Sequence, residues 1–331
     1  MSTAPYDLEE LNKEAGFGGY GEDVERDIPQ IDMSDFFARK PEITEALWKA
    51  ATEIGFFQLT NHGIPQELID DAFALSEKFF ALPQEVKAKY PLMPGTNSGW
   101  EYMAQVRPST GTADRKESYQ ITLPRMKKLW PTGDEVRHFK ATMLAFERHN
   151  WAVAMRVLDC FADKLGFPAD FFTQGHDPET DQYQSTLRLL HYLGMEDAQP
   201  EDFKFWRAGA HTDFDCLTLL HQHAGQGGLQ LCPGKDEKGR ATQWTDVPPL
   251  GGVITCNIGD MLMRWSDDKL LSNLHRVRMP KPGESLGPRY SIAYFAQANM
   301  DTLLAGPEGK YEPMTGHDYI QMRLGANFGK K

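Results

Sequence analysis

The chain has 331 residues, of which 40% are hydrophobic and 25% charged, the balance of an ordinary globular protein with length for one large core or two modest ones. Acidic residues outnumber basic ones 47 to 35, a net charge of −12, so there is no counterion-release drive toward nucleic acid and anionic membrane surfaces repel the chain. No apolar run approaches the roughly 18 residues of a membrane span, and the polar start MSTAPYDLEELNKEAG lacks an apolar leader segment.

Cys160, Cys216, Cys232 and Cys256 form no CxxC pair and read as buried, reduced thiols. The expected setting is the cytoplasm, with a small molecule as partner rather than nucleic acid or membrane. Nothing in the sequence sets an oligomeric state.

Residues 1–27 are rich in Gly, Glu and Asp with weak periodicity, which predicts a flexible N-terminal arm. IPQID (28–32) reads as a short extended entry. SDFFARKPEITEALWKAATEIG predicts a helix ending near Gly55, followed by the strand FFQLT, a turn at NHGIP (61–65) and a second helix over QELIDDAFALSEKFFALP. Ser118–Thr122 suits a strand. The longest helical pattern runs from Glu135 to Leu165, with Phe139, Met143, Phe146, Val153, Val157 and Phe161 at helical spacing, and Gly166 and Pro168 stop it. Beyond about residue 185 the character changes. LRLLHY, CLTLLHQ, GGLQL, ATQWTDV, GGVITCN, NLHRVRM and RYSIAYFA are short β-rich runs separated by Gly, Pro and Asp. The expectation is an α+β protein with a mainly β core, a jelly roll with the helical first half packed outside it.

The stretch GAHTDFDCLTLLHQH (209–223) concentrates histidines and aspartates. In an extended strand, residues i and i+2 face the same way, so His211 and Asp213 can aim an imidazole and a carboxylate at one point. A third ligand must come from afar; any of the remaining histidines is a candidate, and His275, 62 positions after Asp213 in SNLHRVRM, sits on a strand that can fold back. Two histidines and one carboxylate form a facial triad suited to non-haem Fe(II). His221 and His223 share a face but lack a carboxylate to complete a set, and read as packing or lining residues. Fourteen residues after His275, Arg289 and Ser291 again share a face. A guanidinium and a hydroxyl suit a carboxylate, and a buried arginine facing a metal needs an anion between them. A dicarboxylate satisfies both.

HTD, His275 and RYS in this order and spacing resemble the isopenicillin N synthase-like branch of the Fe(II)/2-oxoglutarate-dependent dioxygenases. IPQID, GFFQLTNHGIP, LTLLHQHAGQGGLQL and NIGDMLMRWSDDKLLSNLHRV extend the resemblance over roughly residues 28–300. It implies a double-stranded β-helix wrapped by N-terminal and flanking helices, with a helical region at 28–180, the core at 181–300 and a packing segment at 301–331. It implies iron on His211, Asp213 and His275, and the far carboxylate of 2-oxoglutarate on Arg289 and Ser291, with Tyr192 as a third contact. It further implies C–H oxidation of a small organic molecule by O2, with succinate and CO2 released. Hydroxylation, desaturation and ring rearrangement are the family's outcomes, often in specialised metabolism. Where many plant members carry Asn, this chain has Leu190; where a Gln-Asp pair is common, it has Gln222-His223. Asp213 disfavours a halogenase, which vacates that position.

Arg188 and Leu190, on the strand face of Tyr192, and Phe295 are expected in the substrate wall, with Trp206 and Arg207 flanking its mouth. Two alternatives stay open on sequence alone: an Fe(II) oxidase of the same scaffold that dispenses with 2-oxoglutarate, and a non-catalytic binding protein. Loss of neutral imidazole ligands predicts falling activity at acid pH.

Overall fold

The computed structural model describes residues 22–105, 113–196, 206–232 and 243–328; the expected arm lies mostly outside them. In chain order the first half gives β1 (Glu22–Asp23), β2 (Gln30–Asp32), α1 (Phe36–Glu53), β3 (Phe56–Thr60), α2 (Gln66–Phe80), α3 (Gln84–Lys87), β4 (Gly99–Tyr102), β5 (Lys116–Ile121), α4 (Phe139–Leu165) and α5 (Phe171–Gly175). The second half gives β6 (Thr186–Tyr192), β7 (Ala208–His211), β8 (Leu217–Gln222), β9 (Leu229–Cys232), β10 (Gln243–Asp246), β11 (Ile254–Ile258), α6 (Asp260–Trp265), β12 (Leu274–Val277), β13 (Arg289–Ala296), β14 (Leu303–Leu304), β15 (Met314–Thr315) and α7 (Gly316–Phe328).

Two sheets face each other. The major sheet has eight strands in the order β2-β3-β11-β8-β13-β6-β5-β4, and the minor sheet five, β1-β10-β9-β12-β7. Among the described residues the β2–β3 and β1–β10 strand pairings are parallel and the other strand pairings antiparallel. The major sheet therefore draws β2 to β5 from the mostly helical first half. The strand β4 has no strong sequence signal, because GWEY is short and half polar; pairing with β5 creates it. The longest helix starts at Phe139 rather than Glu135, since His138 adopts a left-handed φ of 64° that cannot continue from a preceding helical turn. At the other helix boundary, Gly55 (φ +73°) ends α1, and a Cβ there would meet Leu271 O at 2.4 Å. Glycine is required by both conformation and space.

Apolar side chains of α1, α2 and α4 bury the outer face of the major sheet in one large cluster that includes Leu47, Phe79, Phe146, Leu189, Leu219 and Tyr294. A smaller cluster joins the inner faces, among them Phe56, Leu190, Tyr192, Leu231 and Val277. The four cysteines are buried free thiols. His221, completely buried, bonds Asn150 Oδ1 at 2.7 Å through Nε2, and burial pushes its pKa down to about 3. His223 packs edge-on against Phe73. Both are packing residues. Among the described residues, no helix is long and apolar enough to cross a membrane.

One core group titrates in an accessible range. Burial raises the Glu147 carboxyl to about 7 from an ordinary 4.5, against an opposing hydrogen bond from Tyr183. The folded state thus holds a proton that the unfolded chain releases, so stability falls as pH rises from about 4.5 to about 7. Urea unfolding at about pH 5 and pH 8 should show this fall reduced in Glu147→Gln by on the order of 2 kcal/mol; an undiminished fall would place the titration elsewhere.

Candidate active site

The strand β12 pairs antiparallel with β7, and His275 stands directly opposite His211. Their rings lie 4.3 Å apart between centroids. His211 Nδ1 donates to Gly209 O at 2.7 Å, and His275 Nδ1 reaches toward Asn273 O at 3.4 Å. A backbone carbonyl only accepts, so both rings carry the proton on Nδ1 and present an Nε2 lone pair. Those two nitrogens lie 3.9 and 3.6 Å from Asp213 Oδ1, and all three ligand atoms fall within 4.8 Å of one another.

Asp213 reaches this position differently from the strand alternation expected. The strand ends at His211, and Thr212 and Asp213 form an irregular segment leading into a bend at Phe214; Asp260 secures it, its N–H donating to Asp213 O at 2.8 Å. The second carboxylate oxygen is occupied. Thr218 and Asn257 donate to Asp213 Oδ2 at 2.6 and 2.8 Å, which leaves Oδ1 for an ion. Thr218 also sits 2.9 Å from Asp215 Oδ2, although its hydroxyl has one proton. Burial first, then the neighbouring Asp213 charge, push the Asp215 carboxyl well up. With a single proton Thr218 serves one carboxylate at a time, and its shorter contact is to Asp213. Thr218 and Asn257 escape a motif search, but each carries a signal: a polar residue inside an apolar strand, in CLTLLH and VITCNI.

Arg289 and Ser291 stand on β13 of the opposite sheet. Arg289 is 1% exposed. Its Nε donates to Gln226 O and Gly227 O, Nη1 lies 3.3 Å from Ser291 Oγ, and Nη2 lies 3.2 Å from Gln222 Oε1. Tyr192 is its cross-strand neighbour, with the guanidinium 4.8 Å from the ring centroid. Burial lowers the arginine's pKa, yet among the described residues no carboxylate pairs with it. A buried cation without its anion is the signature of a bound acid. Gln222, the member of the common pair that this chain keeps, proves to be a direct partner of Arg289.

Triad, Arg289, Ser291 and Tyr192 all line one cavity of about 580 Å³, in the range of ordinary small-molecule sites. Arg188, Leu190 and Phe295 line it as well. Arg188 donates to Gln120 Oε1 at 2.6 Å and lies over the Phe295 ring, while Gln120 Nε2 donates on to Glu101 Oε1. Neither Trp206 nor Arg207 is among the lining residues. Trp206 stacks on Arg276, whose other face meets Trp244; Arg207 is turned to Gly287 O. The sequence order places both residues just ahead of the ligand strand, but their side chains leave on its far side.

Two family models match, one described as non-haem dioxygenase in morphine synthesis N-terminal over residues 28–135 and one as the 2OG-Fe(II) oxygenase superfamily over 183–298. The 2-oxoglutarate-Fe(II) type oxidoreductase hxnY of Emericella nidulans is 32% identical, with 91% of this chain and 90% of that protein covered. The chain belongs to the 2OG-Fe(II) oxygenase superfamily. The proline hydroxylase buaE of Petromyces alliaceus is similar at 32% identity, covering 90% of this chain and 98% of that protein. The crystal structure of a full-length Neurospora crassa protein in complex with alpha-KG and thymine superposes with a TM-score of 0.78 at 32% identity, covering 92% and 98% of the two chains. The fold is the double-stranded β-helix of these oxygenases. The protein is an Fe(II)/2-oxoglutarate-dependent dioxygenase that oxidises a C–H bond of a small organic molecule with O2.

Replacing Asn257 by Leu should weaken metal binding about 10- to 100-fold, the usual cost of losing a partner that orients a ligand. Calorimetric titration of metal-free protein with Mn(II) measures it, and an unchanged affinity would mean that Thr218 alone orients Asp213.

Proposed function

We propose that His211, Asp213 and His275 hold the iron, that Arg289, Ser291 and Tyr192 hold the far carboxylate of 2-oxoglutarate, and that Arg188, Leu190 and Phe295 face the substrate. The observation that carries this is the pairing of two converging Nε2 lone pairs and one free carboxylate oxygen with a buried guanidinium across the same cavity. The donor set suits Fe(II) and leaves coordination positions open. When bound, iron and 2-oxoglutarate supply the oxidising power: substrate C–H, O2 and 2-oxoglutarate become substrate C–OH, succinate and CO2.

The protein's own part is placement. The Nδ1–carbonyl bonds fix the tautomer and the turn of both imidazoles, with Nε2 toward the site. Thr218 and Asn257 restrict Asp213 to one coordinating oxygen. Arg289 fixes the cosubstrate's far end, and Phe56, edge-on to His275, walls the ligand from water.

The substrate we infer is a compact, uncharged molecule bearing both hydrogen-bond donor and acceptor groups. Arg188, Gln120 and Glu101 form one relay in the cavity wall; its charges offset each other, and it offers donors and acceptors side by side. Similarity to the Neurospora crassa protein, crystallised with thymine and with 5-formyluracil, supports this class. Hydroxylation is the first outcome we assign, and specialised metabolism the setting, as similarity to fungal enzymes supports. The four buried thiols fit a cytoplasmic location.

Succinate release from 2-oxoglutarate should rise when thymine-like cyclic amides are supplied, and less with small phenolic or aliphatic acids. Stimulation by acids alone would overturn the uncharged-substrate reading. Ala at His211 or Asp213 should abolish turnover, and full activity in either variant would sink the ligand assignment. Arg289→Ala should raise the KM for 2-oxoglutarate roughly 10- to 100-fold, the equivalent of about 1.5–3 kcal/mol for a charged hydrogen bond. Arg188→Met should leave that KM in place and reduce substrate-stimulated succinate; the reverse pattern would exchange the two arginines' roles.

A further inference from the structure

Arg323 lies on α7, the last helix of the chain, and is 0% exposed. Its Nη2 sits 2.6 Å from Asp260 Oδ2 and 3.4 Å from Thr212 Oγ1. Thr212 donates to the same Asp260 oxygen at 2.8 Å. The guanidinium also lies 4.5 Å from the centre of the Phe214 ring, and the Asp260 N–H holds Asp213 O. Three consecutive residues, Thr212, Asp213 and Phe214, are thus clasped by one arginine and its acidic partner. They are the segment that carries the carboxylate of the triad.

An apolar side chain would anchor a helix here at least as well, because a buried ion pair repays its desolvation only through specific geometry. What the ion pair adds is register. Arg presents a planar fork that bonds one carboxylate while its face stacks on a ring, so it fixes position in two directions. The same helix reaches the cavity: Ile320 and Leu324, one turn apart, both line it. Helix, ligand segment and substrate space are therefore one mechanical unit.

We propose that Arg323 is a positioning residue for the metal centre: docking of the C-terminal helix sets the 212–214 segment, and through it the aim of Asp213 between the two histidines. The proposal rests on the reading of His211, Asp213 and His275 as the iron ligands. No sequence motif points to Arg323, which lies 110 positions after Asp213.

The test is calorimetric titration of the metal-free full chain with Mn(II), alongside thermal melting. D213A should lose binding; if it binds as the wild type does, the ligand reading itself fails. With that control in place, R323M should bind Mn(II) about tenfold more weakly or worse. R323K should fall between, because lysine reaches Asp260 but has no planar face for Phe214. T212V leaves the ion pair standing and removes the Thr212 hydroxyl that ties it to the residue before Asp213, one of its three links to the segment, and it too should bind more weakly. Wild-type affinity in both R323M and T212V, even with a lowered melting temperature, would overturn the proposal and reduce Arg323 to a helix anchor. Where R323M fails to fold, T212V alone decides.

Discussion

The two hydrogen bonds to Asp213 Oδ2 join the halves of this molecule at its chemical centre. His211 and His275 belong to the minor sheet, whose strands are two to four residues long. Thr218 and Asn257, which hold Asp213, belong to β8 and β11 in the middle of the eight-stranded sheet. Short strands with few ladder bonds are poor platforms for a site that needs sub-ångström placement. Asp213 solves this by following directly on the minor sheet's edge strand while its second oxygen is fixed to the major sheet. The triad takes its rigidity from a sheet to which none of its three residues belongs.

The cosubstrate end follows the same division. Arg289, Ser291 and Tyr192 come from β13 and β6, adjacent strands deep within the major sheet. Metal and anion sites therefore sit on facing layers, and the spacing of the layers sets the span available to a chelating dicarboxylate. The apolar cluster of Phe56, Leu190, Leu231 and Val277 maintains that spacing. A substitution in this cluster acts on chemistry through distance, without touching either ligand set.

Much of this is legible in the sequence. Periodicity locates α1, α2 and α4, and alternating β-rich runs locate most of the core strands, because these elements bury one face and their patterns report it. His211, Arg289 and Ser291 stand out because spacing along a strand fixes a face, Asp213 stands out by its place two residues after His211 although the strand has already ended, and the family resemblance extends the set to His275 and Tyr192. What escapes are contacts between distant segments with no local signature. Thr218 and Asn257 show only as polar residues inside apolar strands, with nothing to name their partner, while Glu101 and Gln120 look like exposed polar residues and Arg323 like the solvent face of a terminal helix. Trp206 and Arg207 differ in the opposite sense: nearness along the chain suggests the cavity mouth, but Trp206 packs on Arg276 and Arg207 bonds Gly287 O, and neither lines the cavity.

Charge closes the argument. A divalent ion, one carboxylate ligand, a dianionic cosubstrate and one buried guanidinium sum to zero, so the buried centre is neutral with both ion and cosubstrate or with neither, and carries net charge when one is bound alone. Without them Arg289 and Asp213 are opposite charges on facing sheets, each held by dipoles. The rest of the cavity is balanced in advance: Lys116 pairs with Asp114 at 2.9 Å, and Arg188 is tied through Gln120 to Glu101. An anionic substrate would add a charge to a wall whose cations already have their counterparts, and in a low-dielectric cavity that cost is large. An uncharged substrate with hydrogen-bonding edges leaves the balance intact, and if Arg289 takes the far carboxylate of 2-oxoglutarate as proposed, the same electrostatics oppose a second acid beside it.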